Sequence, residues 1–165
     1  MDMRELRKEF VGPNSEYYIP AWDAYRNEGT KLPFNKAALT VFWFFYRKMY
    51  LVGSGVFFLT LIIQFLVQSI LVIIHADATV AVIAGYTALA GWWIFVGFRA
   101  NRFYFNHAER KIRKLTIDSP GDLRAAAARK GGVGFVGMII PVVIFGAVAL
   151  LFLLLTAFVV KGFWG

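Results

Sequence analysis

Residues 99–130 decide what this chain can fold into. The segment reads RANRFYFNHAERKIRKLTIDSPGDLRAAAARK and carries nine Lys/Arg against three Asp/Glu. Uncharged runs lie on both sides, at residues 78–98 and 131–160, and a further run at 49–74 precedes them. About 20 apolar residues cross a bilayer core of about 30 Å, and loops rich in Lys/Arg stay on the cytoplasmic side. The expectation is an all-α membrane protein with three transmembrane helices. A hairpin occupies residues 49–98, a basic helical loop 99–132 lies in the cytoplasm, and a third span covers 133–160. The N-terminus is then cytoplasmic, and the tail 161–165 lies outside. The positive charges agree with this topology: of 18 Lys/Arg, eight precede Met49, nine fall in the inner segment, and Lys161 alone lies beyond the last span.

Composition supports the class. The chain is 59% hydrophobic and 17% charged, whereas soluble domains are about a quarter charged. The net charge of +8 resides largely in segments that would face anionic lipid, so membrane lipids rather than nucleic acid are the expected partner. The absence of cysteine excludes disulfides and thiolate chemistry. The first thirty residues are polar and charged, so no cleavable leader is expected and an internal segment drives insertion.

The cytoplasmic lead-in, residues 1–35, suggests two short amphipathic helices. Met3, Leu6 and Phe10 share one face, Gly12-Pro13-Asn14 breaks the first helix, and Tyr18, Trp22 and Tyr25 share a face of the second. Pro20 suits a first turn better than a helix interior. Residues 36–48 hold an aromatic cluster followed by Arg47-Lys48. That stretch is too short to span and is read as an interfacial helix with its rings at headgroup depth, running into the first span. Within 49–74, Thr60, Gln64 and Gln68 recur every four residues, and amides on one face bond between helices rather than face lipid. Gly85 and Gly91 in the second span, and Gly137, Pro141 and Gly146 in the third, complete the expected helix-packing positions; Pro141 should kink its helix. In the basic loop, Phe105, Ala108, Ile112 and Leu115 share a face, and Glu109 stands four residues before Arg113. Ser119 is read as a cap, with Pro120 the first helical residue. Arg47, Lys48, Arg99, Arg102, Arg110, Lys111, Arg113, Lys114, Arg129 and Lys130 are the expected contacts to anionic lipid. Trp164 is read as an anchor at the far interface.

No catalytic constellation emerges: there is no HExxH, phosphate loop, nucleophile elbow or metal-spaced cluster. His75 and His107 fall on opposite sides of the bilayer, which excludes a haem held by both. No charge lies inside a span, so a proton relay has no carrier. No cofactor or metal is expected.

Several stretches resemble the bacterial membrane-protein family of domain of unknown function 2628. They are Phe10-Val11-Gly12, Tyr17-Tyr18-Ile19-Pro20 and Trp22, Phe34-Asn35, Trp43, and Tyr46-Arg47-Lys48-Met49-Tyr50. Further on come Ala100-Asn101-Arg102, Tyr104, His107, the basic helix from Lys111 to Lys114, and Arg129-Lys130-Gly131-Gly132. The chain has Lys36 where the family usually has Trp and lacks a glycine break near Thr40-Val41, which favours a continuous helix from Lys36. The resemblance implies a small inner-membrane protein without an established activity. Combined with the missing catalytic set, this gives a non-enzymatic accessory or scaffold subunit of a bacterial inner-membrane complex, packed against other integral membrane subunits. The alternative is a small homo-oligomeric transporter or lipid-handling protein. A weaker third reading is a peripheral sensor of anionic lipid.

Overall fold

The computed structural model describes residues 2–118 and 121–164, with side chains except at 136–138, 140, 156 and 159–164. Its regular elements are all helical, and no strand occurs among the described residues. Helix α1 (Met3–Val11) starts at Asp2, whose carboxylate accepts the Arg4 N–H at 3.2 Å and satisfies one of the free donors of the first turn. The expected face is buried at Leu6 and Phe10, with Val11 added, while Met3 stays exposed. A 3₁₀ turn, Gly12–Asn14, leads into α2 (Ser15–Glu28). Pro20 lies inside α2 rather than in its first turn. Proline removes one backbone donor there, and this one points outward.

The continuous helix expected from Lys36 does not form. Asn35 caps a separate 3₁₀ turn, Lys36–Leu39, accepting the Ala38 N–H at 3.2 Å. Thr40 is extended (φ −128°, ψ 142°). Only then does α3 (Phe42–Tyr46) begin. Lys48 ends the stretch in the left-handed region at φ 56°, and the Met49 N–H returns to the Phe44 carbonyl at 2.8 Å. Of the aromatic cluster, Phe42 and Tyr50 are exposed, while Trp43, Phe44 and Phe45 are buried within the protein. The break lets α3 turn these rings into the protein.

Helix α4 (Tyr50–Ile73) and α5 (Ala78–Asp118) are both long and apolar enough to cross a membrane. Their connection is the short turn around His75, which takes φ 52°, and Asp77 accepts the Thr79 N–H at 2.8 Å to open α5. Helix α5 does not stop where its apolar run ends at Phe98. Its 41 residues reach about 60 Å at 1.5 Å per residue, so one helix carries both the second apolar run and the basic segment. Beyond Phe98 it buries Ala100, Tyr104, Ala108, Ile112 and Leu115, which α1, α2 and α6 (Leu123–Lys130) cover. The expected cap Ser119 and helix start Pro120 lie outside the described residues. Helix α6 begins at Leu123 with Asp122 as its cap, accepting the Ala125 N–H at 3.4 Å. Glu109 does not turn to Arg113 but bonds Arg7 of α1 at 2.6 Å.

Helix α7 (Val136–Trp164) continues through Pro141; its described apolar stretch, Pro141–Leu155, is shorter than the two candidate spans. It docks through Phe145, which stacks on Phe57 at 4.3 Å and meets Phe45 at 5.3 Å.

The chain leaving α6 passes very close to α1. The Gly132 N–H donates to the Phe10 carbonyl at 2.6 Å, and a Cβ at Gly131 would overlap that carbonyl. Gly131→Ala should therefore destabilise the docked α6 by about 2 kcal/mol, in the range of other overpacking changes. The check is a thermal melt in detergent, with proteolysis reporting release of α6. Unchanged stability would mean that α1 and α6 are not held this closely.

Candidate functional site at the root of the hairpin

Arg47 lies at the centre of the junction between the hairpin and the packed helices. It is 3% exposed, so its expected contact with lipid is not made. The break at Lys48 turns the side chain inward. There its guanidinium sits 4.8 Å from the Tyr18 ring centre, 5.0 Å from that of Tyr104 and 5.9 Å from that of Tyr46. Nη1 donates to the Val11 carbonyl at 3.3 Å and to the Tyr104 hydroxyl at 3.4 Å. No carboxylate pairs with Arg47, and its Nε has no acceptor, among the described residues. Aromatic faces supply the compensation, each worth about 0.5–2 kcal/mol. Burial pushes the Tyr104 phenol up to about 12, which keeps it a neutral hydroxyl.

Two further clamps surround this cage. Asn35 donates to the Asn101 side-chain oxygen at 2.8 Å, Asn101 donates to the Pro33 carbonyl at 2.8 Å, and the Asn35 N–H reaches the Gly97 carbonyl at 3.0 Å. These bonds pin the segment before α3 to α5 just past its apolar run. On the other side, the Lys48 ammonium donates to the carbonyls of Gly131 at 2.5 Å and Arg129 at 3.1 Å. Lys48 thereby caps the end of α6, where a cation also meets the negative end of the helix dipole.

The polar stripe of α4 is engaged within the hairpin. The Trp92 indole donates to the Thr60 hydroxyl at 2.8 Å. Gly85 is buried against the Gln68 amide, with the Gln64 amide next to it. Thr60, Gln64, Gln68 and Gly85 thus form one seam, although Gln64 Oε1 is buried without a partner among the described residues. Gly91 and Gly146 do not pack: both are exposed with open space where a Cβ would stand. Among the described residues no atom lies within 4 Å of either Cβ position. Pro141 is partly buried, and the surroundings of Gly137 lie outside the described residues.

Arg99, Arg102, Arg110, Lys111, Arg113, Lys114, Arg129 and Lys130 remain at the surface. Six of them, Arg99, Arg102, Arg110, Lys111, Arg113 and Lys114, border three clefts, whereas Arg129 and Lys130 line none of these. The first, about 360 Å³, lies between Lys48–Val52 and the α5 side chains His107, Arg110, Lys111 and Lys114. A second of about 590 Å³ lies among Tyr25, Arg26, Phe105, Asn106, Glu109, Arg110 and Arg113. A third of about 360 Å³ lies among Tyr25, Lys31, Leu32, Phe95, Phe98, Arg99 and Arg102. Half-burial, helped by Lys111 and Arg110, holds the His107 imidazole below the ordinary histidine range. Among the described residues no three His, Asp or Glu gather to hold a metal ion. Cationic side chains outnumber acidic ones in the lining of each of the three clefts.

Sequence reasoning missed Asn35, Asn101 and Tyr104 as partners in this site. A polar Asn101 beside the helical apolar face was the available signal. The cage can be tested by Arg47→Met and Arg47→Lys. Methionine orphans two acceptors and should cost roughly 2 kcal/mol. Lysine should cost more, because a compact, strongly hydrated ammonium cannot reproduce a flat cation between rings. Thermal melts in detergent measure both, and a lysine variant as stable as the parent would refute the cage.

The family model described as "Protein of unknown function (DUF2628)" matches residues 15–110, more than half of the chain. No curated protein and no solved structure gives a significant match. The matched residues run from the start of α2 to Arg110 and include the Asn35–Asn101 clamp, Arg47 with its three tyrosines, and Lys48, but not the Val11, Arg129 and Gly131 carbonyls that Arg47 and Lys48 bond. The chain therefore belongs to the DUF2628 family of proteins of unknown function.

Proposed function

We propose that this protein is a non-enzymatic accessory or scaffold subunit of a bacterial inner-membrane complex, crossing the membrane three times with its N-terminus in the cytoplasm. The observation that carries this reading is the use of the α4 polar stripe inside the α4–α5 seam. Thr60 is bonded to Trp92 and the two amides lie against Gly85, so the stripe faces the partner helix rather than a transport path. The outer faces of the hairpin expose Ile62, Phe65, Ile83 and Tyr86, which suit lipid and neighbouring subunits. Helix α5 ties that hairpin without interruption to the packed basic unit, so a subunit held at one end positions the other. The charge distribution supports the orientation, and the uncharged run through α7 supports the third crossing.

One observation favours the second reading, a homo-oligomeric transporter or lipid-handling protein. Gln64 Oε1 is a buried polar atom with no partner among the described residues, and a second copy or a substrate would satisfy it. Mild extraction from native membranes, followed by native gels and mass spectrometry, separates the two. A stoichiometric assembly with other integral membrane proteins is the expected result. A chain that travels alone or only with copies of itself would overturn the accessory-subunit reading.

A further inference from the structure

We propose that the cleft between the start of α4 and α5 is a binding site for a phosphoryl anion. The inference stands apart from the accessory role, because it rests on how four side chains share one helix face. His107, Arg110, Lys111 and Lys114 are spaced three and four apart, so they stand above one another on α5. All four border the same cleft of about 360 Å³, and no Asp or Glu lines it. Like charges at these spacings oppose helix formation. Elsewhere in this chain basic side chains meet acids, as Arg7 meets Glu109 and Arg124 meets Glu9. Lys111 and Lys114 have no such partner among the described residues.

The opposite wall adds to the positive field. It is the first turn of the 24-residue helix α4, which no side chain caps and which carries no acidic residue. Lys48, fixed to the end of α6, closes one end of the cleft. Arg110 is steadied by its bond to the Asn106 carbonyl at 3.1 Å. A phosphoryl group suits such a wall, since its oxygens accept several charge-assisted bonds at once. Leu51, 88% exposed at the rim, gives the cleft an apolar edge. A lipid headgroup with its acyl chains beside α4 and a small soluble phosphate present the same chemistry to it.

His107 offers the readout. The groups around it are Lys48 and Tyr50 across the cleft and Arg110, Lys111 and Lys114 on its own helix. Burial, with the neighbouring Lys111 and Arg110, holds its imidazole below the ordinary histidine range. A bound phosphate favours the imidazolium, so binding takes up a proton and tightens as pH falls through the histidine range. The chain has two histidines, and His75, in the turn at the far end of the hairpin, serves as an internal control. The experiment is NMR of histidine-labelled full-length protein in phosphatidylcholine nanodiscs. Phosphatidylglycerol is added to the disc in one arm, and inorganic phosphate or glycerol phosphate to the solution in the other.

The expected result is a rise in the His107 titration midpoint with His75 unmoved. A response to phosphatidylglycerol alone assigns a lipid headgroup, and a response to the soluble ions as well assigns free phosphate. Lys111→Gln with Lys114→Gln should weaken the response at least about tenfold. Arg129→Gln with Lys130→Gln changes net charge equally on exposed residues outside the cleft, and should leave it nearly intact. Equal loss in both pairs would reduce the effect to general attraction and overturn the site. No movement of His107 with any of the probes would overturn it too.

Discussion

A buried guanidinium without a carboxylate sets the terms for the rest of this structure. Removing an ion from water costs several kcal/mol even after relaxation, and Arg47 has no acid to offset that cost among the described residues. Its compensation comes instead from separate elements. Tyr18 belongs to α2, Tyr104 to α5, Tyr46 to α3, and the Val11 carbonyl to the end of α1. None of these is close to all the others in sequence. The cation is therefore comfortable only when four helices have assembled, which links their folding to one another. A salt bridge would have satisfied Arg47 with one partner; the aromatic cage requires the whole junction.

The position of that junction matters because α5 is unbroken. A helix that spans and then stops would leave the basic segment free to swing on a loop. Here the same rod continues past Phe98, and the Asn35–Asn101 pair clamps the preceding chain to it one turn later. Lys48 makes the matching connection on the other side. Its left-handed backbone is unfavourable for a residue with a side chain, by about 1–2 kcal/mol. Two carbonyl bonds at the end of α6 fix the same residue in place. Orientation of the hairpin is in this way transmitted to α1, α2 and α6 through short polar contacts on a rigid axis.

Much of this was legible in the sequence, and the parts that were not share a cause. Apolar runs and 3.6-residue spacing gave both hairpin helices, the face of α1, the aromatic face of α2 and the buried strip from Ala108 to Leu115. These features depend on periodicity within one helix. The failures came where a side chain answers to a distant element. Arg47 looks like a surface cation because nothing local reveals that Tyr18 and Tyr104 will enclose it. Glu109 has a suitable Arg113 four residues on, yet it takes Arg7 from the other end of the chain. The continuous helix expected from Lys36 failed because an absent glycine does not by itself sustain a helix: Asn35 starts a separate turn and Lys48 adopts φ 56° without being glycine. Small residues misled in the other direction. Gly85 packs and Gly91 does not, although they share one helix and one residue type.

That contrast between the two glycines bears on what the hairpin is built for. A small residue in a lipid-facing span costs some packing area and some helix propensity. At Gly85 the loss is offset by the close approach of the Gln68 amide. At Gly91, and again at Gly146 on α7, no atom comes within 4 Å of a Cβ position among the described residues. On α7, Phe145 stacks on Phe57 and reaches Phe45. The chain thus secures the junction at the root of the hairpin with charge-assisted and amide bonds, while the helix faces at Gly91 and Gly146 stay open among the described residues. Close helix approach is what such faces permit and what lipid tails gain nothing from. Rigidity at the junction and open faces on the apolar helices are the two features that the proposed role within a larger helical assembly would use.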